Sequence, residues 1–127
     1  MSDNLFDQYT PASDAQKIAT VTPPYKAFET GAGKTQQRMR VLFGDGSISL
    51  FNNNYLVRVE STDPHHIRLF YTDCYLDIQG NFLSELWDLL QEDKVKILRA
   101  YNAKNHIAPA NGDMKIESIT TNSYGAN

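Results

Sequence analysis

A chain of 127 residues has room for one domain with tails, and 41% hydrophobic against 21% charged residues is the balance of an ordinary water-facing protein rather than of a disordered or membrane-embedded one. No apolar run approaches the roughly 20 residues that cross a bilayer, and the acidic start MSDNLFDQYTPASD has neither the basic residues nor the apolar stretch of a secretory leader. The formal net charge of −3 gives no global attraction to nucleic acid or anionic lipid, and a single cysteine, Cys74, rules out an intrachain disulfide; the expectation is a cytoplasmic protein.

Residues 1–36 scatter their apolar positions among Pro, Thr, Ser, Gln and Gly with no lasting period, and read as a flexible N-terminal arm. Within it, Thr30-Gly31-Ala32-Gly33-Lys34-Thr35 resembles the end of a phosphate-binding loop. The pattern GxxxxGK[ST] requires a glycine five positions before Gly33, and Phe28 stands there. Pro23 and Pro24 precede it where a buried strand is needed, and an alternating strand-like run follows where a helix is needed. No nucleotide is therefore expected at Gly33-Lys34-Thr35.

Residues 37–102 carry the folding signals of an α+β core domain. The run RMRVLF, then Gly44-Asp45-Gly46, then SISLF is a hairpin pattern. Asn52-Asn53-Asn54 marks a turn, YLVRVE a third strand, TDPHH another turn, and IRLFY with CYLDIQ a second hairpin about Thr72-Asp73. Together they predict an antiparallel β-meander of about five strands. In GNFLSELWDLLQED the spacing of Phe82, Leu83, Leu86, Leu89 and Leu90 predicts an amphipathic helix packed on one sheet face, with Asn81 placed to cap it. The next segment, 94–102, fits a helix or a strand, with a second short helix favoured. From 103 to 127 the chain turns polar and reads as a tail, although Met114, Ile116 and Ile119 alternate weakly.

Alternation along the meander sorts the side chains onto two faces. One carries Met39, Val41, Ile48, Leu50, Val57, Val59, Ile67, Leu69, Leu76 and Ile78, the seat for the helix. The other carries Arg38, Arg40, Phe51, Arg58, Glu60, Arg68, Phe70, Tyr75 and Asp77, so that four of the five arginines interleave with aromatic rings on a face the helix leaves open. Arginine and aromatic residues are enriched at the energetic centres of protein interfaces, which points to contact with a protein partner or with a second copy through Arg40, Phe51, Arg58, Arg68, Phe70 and Tyr75, or along an edge strand. A stacking platform for single-stranded nucleic acid is the runner-up, with the acidic balance and the absence of an RNP-type run against it. The bland reading pairs Arg58 and Arg68 with Glu60 and Asp77 across strands.

No constellation predicts catalysis, a metal or a cofactor. Asp63, His65 and His66 share one turn, but adjacent histidines on extended backbone point opposite ways and no third ligand is placed by spacing. Cys74 falls on the core face, where a free cysteine behaves as a small hydrophobe. The expectation is a non-catalytic binding module.

Overall fold

The computed structural model describes residues 23–124. In chain order these form β1 (Phe28–Thr30), β2 (Arg38–Leu42), β3 (Ile48–Asn52), a 3-10 turn (Asn53–Tyr55), β4 (Leu56–Asp63), β5 (His66–Tyr71), β6 (Cys74–Asn81), the helix α1 (Ser84–Gln91), β7 (Val95–Arg99) and β8 (Lys115–Ser123). The strands make two four-stranded sheets, ordered β1-β7-β2-β3 and β4-β5-β6-β8. The second sheet is antiparallel throughout, whereas β2 and β7 pair parallel in the first. Met39, Val41, Val95 and Leu98 from one sheet share a single core with Ile67, Leu69, Leu76, Ile78, Ile116 and Ile119 from the other. The outer faces of the two sheets therefore look away from each other.

The predicted hairpins form where the turn residues lie, but the continuous five-strand meander is corrected. At Asn52–Asn54 the chain does not reverse onto β3. The Asn52 side chain accepts the Asn54 N–H at 2.9 Å, and the Asn53 N–H and side-chain amide donate to the carbonyls of Gln37 and Gln36 at 2.8 and 3.0 Å. These bonds satisfy a 3-10 turn that carries the chain out of the first sheet and into the second. The far side of β2 is then open, and β7 fills it.

Residues 94–102 accordingly contain a strand, not the favoured second helix. Asp93 takes φ +56°, a left-handed conformation that stops α1, and Val95 and Leu98 enter the core. The helix itself stands, beginning at Ser84 rather than Phe82, with Leu86 and Leu90 buried. Asn81 does not cap it: Leu83 holds the cap position without a side-chain hydrogen bond, and Asn81 ends β6. Instead of lying flat on a meander, α1 touches β4 of one sheet and β7 of the other.

Both flanking segments contribute strands. β1 pairs with β7, and β8 runs antiparallel along β6 from Lys115 to Ser123. Tyr25 ties the layers together: its hydroxyl donates to the Arg99 carbonyl at 2.5 Å and accepts the Ile116 N–H at 3.1 Å, joining β7 to β8. Burial pushes its pKa up to about 12, against the pull of the Ile116 N–H. Between β1 and β2, Ala32 and Gly33 sit at φ +55° and +75° and the Lys34 N–H donates to the Gly31 carbonyl at 3.1 Å, so TGAGKT is folded as a two-residue reversal. The part of the N-terminal arm before residue 23 lies outside the described residues.

Candidate binding face on the second sheet

The face is built by cross-strand register. β4, β5 and β6 place Arg58 opposite Phe70 and Phe70 opposite Tyr75, forming one rung. The next rung is Glu60, Arg68 and Asp77. Strict alternation in β5 sends Ile67, Leu69 and Tyr71 into the core and leaves His66, Arg68 and Phe70 outside.

Contacts along and between the rungs make a continuous layer. The Arg58 guanidinium lies 4.2 Å from the centroid of Phe70, and Arg68 lies 5.7 Å from that of Tyr75. Phe70 and Tyr75 stack at 5.4 Å, and Tyr124, beyond the end of β8, extends the row with its ring 6.0 Å from Tyr75. A guanidinium over a ring gains about 0.5–1 kcal/mol at an exposed site.

The charges on this face are matched internally. Arg58 Nε is 3.0 Å from the Glu60 carboxylate, and Arg68 Nε is 3.9 Å from Asp77, which also pairs with His66 Nε2. The Arg58–Glu60 pair is exposed and stabilises by about 0–1 kcal/mol; Asp77 is largely buried and shares its carboxylate between His66 and Arg68, whose Nε is buried without a hydrogen-bond partner among the described residues.

Of the six predicted contact residues, Arg58, Arg68, Phe70 and Tyr75 are brought together here, and two are not. Arg40 lies on the outer face of the other sheet, paired with Leu50 across β2 and β3. Phe51 turns inward, its ring 5.0 Å from that of Tyr71 in β5, because β3 pairs with β2 so that Met39 meets Phe51 and Val41 meets Ser49. The same register turns Ile48 and Leu50 outward, each 59% exposed, reversing the predicted face of β3. The four-arginine surface is thus two surfaces, with Arg38 and Arg40 on one layer and Arg58 and Arg68 on the other.

Two residues of the neighbourhood escape sequence reasoning. Tyr124 belongs to a polar stretch with no period. Val57, 68% exposed, is displaced by a register shift between Leu56 and Arg58 that alternation alone places on the core side.

The other candidates resolve simply. His65 and His66 do point apart, His65 Nδ1 to the Gly80 carbonyl at 3.1 Å and His66 to Asp77. Among the described residues no group of three or more His, Cys, Asp or Glu is placed to hold a metal ion. Burial and the neighbouring Asp73 push the Cys74 thiol up, away from the reactive thiolate. No helix among the described residues is long and apolar enough to cross a membrane. No protein-family model, curated protein or solved structure matches this chain.

Proposed function

We propose that this protein is a non-catalytic binding module that makes contact with a protein surface, first of all that of a second copy, through the outer face of β4, β5 and β6. The observation that carries this reading is the rung of Arg58, Phe70 and Tyr75, with each arginine's charge met by a carboxylate of the same face. Arg, Tyr and Phe packed against one another present wide contact area at small cost in side-chain entropy. Register shifts in β4 at Leu56/Arg58 and Ser61/Asp63 interrupt the edge strand, which favours side-chain contact over strand addition along that edge.

Single-stranded nucleic acid is the competing ligand, and the same observation weighs against it. A phosphate backbone arriving at this face meets Glu60 and Asp77 as well as the arginines, and the rings of Phe70 and Tyr75 already have guanidinium neighbours. Light scattering coupled to size exclusion, at low and high salt and with a labelled single-stranded oligonucleotide, separates the two. The proposal expects an assembly larger than a monomer that persists in high salt, ignores the oligonucleotide and is lost in Phe70→Ala. A monomer that captures the oligonucleotide only at low salt, and loses it in Arg58→Glu with Arg68→Glu, would instead establish the nucleic-acid reading.

A further inference from the structure

A second site lies away from this face, where the β4–β5 turn meets the entry to α1. Pro64, His65, Ile67, Phe82, Leu83 and Trp87, with Ser61, Asn81 and Ser84, line a pocket of about 370 Å³. Ile67 and Leu83 are buried and form its floor. Phe82 is unusual: it takes φ +58° while the residue is 60% exposed. A bulky residue in the left-handed region is a genuine outlier that costs of order 1–3 kcal/mol, and here no burial of its own ring offsets that cost.

The polar complement of the pocket is specific. His65 is pinned by its backbone, with its N–H donating to Asp63 Oδ1 at 2.7 Å and its carbonyl accepting the Gly80 N–H at 3.0 Å. Its ring Nδ1 lies 3.1 Å from the Gly80 carbonyl, which only accepts, so Nδ1 carries the proton. In the neutral ring Nε2 is then an acceptor, with no partner among the described residues. No Asp, Glu, Lys or Arg lines the pocket. The volume is at the small end of ligand sites, which run from about 300 to 1,000 Å³.

We infer that this pocket binds a small, free, uncharged planar ring compound bearing an N–H donor, in contact with Phe82 and Trp87 and with its donor directed to His65 Nε2. The absence of charged lining groups selects a neutral ligand, the apolar floor and the aromatic rings of the lining select a flat apolar one, and the fixed tautomer selects a donor. The strain at Phe82 is the cost of keeping a ring at the mouth.

Trp87 is the chain's one tryptophan, so its indole N–H resonance reports this site alone. The test is a titration of the labelled full chain with indole and with 1-methylindole, which has the same ring system without the donor. Indole is expected to shift that resonance saturably with Kd below about 1 mM, and 1-methylindole to bind about tenfold more weakly, the loss of one hydrogen bond. His65→Phe should bind the two alike. Phe82→Gly, which relieves the backbone, should keep or raise the melting temperature yet weaken indole at least about tenfold, a combination that a purely structural role for Phe82 does not produce. No saturable shift up to several millimolar, equal affinity for both probes in the unsubstituted protein, or undiminished indole binding in Phe82→Gly would each overturn the assignment.

Discussion

Replacing two adjacent residues of β3 one at a time by alanine gives opposite outcomes under the two registers open to this strand. Plain alternation puts Leu50 in the core and Phe51 outside; the pairing of Met39 with Phe51 and the Phe51–Tyr71 ring contact at 5.0 Å put them the other way round. Leu→Ala removes about three carbons at roughly 0.8 kcal/mol each when buried. Leu50 is already 59% exposed, so its truncation should cost about 1 kcal/mol or less. Phe→Ala in a full core costs about 3–5 kcal/mol, and for the partly buried Phe51 roughly half of that, about 2 kcal/mol, is expected. With a urea slope of about 1–3 kcal/mol/M, the two midpoints should differ by about 0.3 M or more, Phe51→Ala unfolding first. Urea melts followed by far-UV dichroism at one low protein concentration measure this directly. A Leu50→Ala variant as unstable as Phe51→Ala, or more so, would refute the register and with it the inward placement of Phe51.

Three further outcomes follow from buried groups. The Tyr71 hydroxyl is buried without a hydrogen-bond partner among the described residues, and burial pushes its pKa upward; Tyr71→Phe should therefore raise stability by about 1–2 kcal/mol in urea melts, and a loss of that size would mean the hydroxyl is satisfied. A Cβ at Gly80 would lie 2.2 Å from the Lys115 carbonyl oxygen and 2.9 Å from Ile116 Cα, both backbone atoms of β8, so Gly80→Ala should cost at least about 2 kcal/mol, and a neutral effect would count against the β6–β8 pairing. Tyr25, with its folded pKa raised to about 12 above an unfolded value near 10, contributes stability that is complete below about pH 10 and lost as pH rises through about 12. Tyr25→Phe should lower stability at neutral pH through the loss of two hydrogen bonds, yet show a smaller further loss between about pH 9 and pH 11 than the unsubstituted protein. An equal loss would argue that Tyr25 titrates normally.

What the sequence makes legible is local. Gly44-Asp45-Gly46 and the Thr72-Asp73 turn mark their hairpins because the conformations these reversals need are written in the turn residues themselves, and the alternation of Ile67, Leu69 and Tyr71 against Arg68 and Phe70 places one sheet face correctly. The helical spacing of Leu86 and Leu90 works for the same reason. The misplaced parts all depend on distant partners. β3 looks apolar at Ile48 and Leu50, but its phase is set by the pairing of Ile48 with Leu42, which turns Phe51 inward and leaves Ser49 exposed on the same side. β7 carries a pattern shared by helix and strand, and only the open side of β2 and the left-handed Asp93 decide between them. β8 offers two apolar residues in a polar run, and it becomes a strand because β6 presents a full edge to it. Of the contact face, the rung from Arg58 to Tyr75 is readable from β5 and its two neighbours. The exclusion of Arg40 is not, because it follows from a chain that changes sheets at Asn53, and that of Phe51 is not, because it follows from the β2–β3 register.

The most direct test of the proposed contact is a dilution series of backbone amide spectra of the full chain, from millimolar to low micromolar protein. If the second sheet's outer face joins two copies, the amides of Arg58, Glu60, Arg68, Phe70 and Tyr75 should shift together with one dissociation constant while those of Ile48 and Leu50 stay fixed. Spectra that do not change with concentration, or shifts centred on Ile48 and Leu50, would contradict self-association through this face.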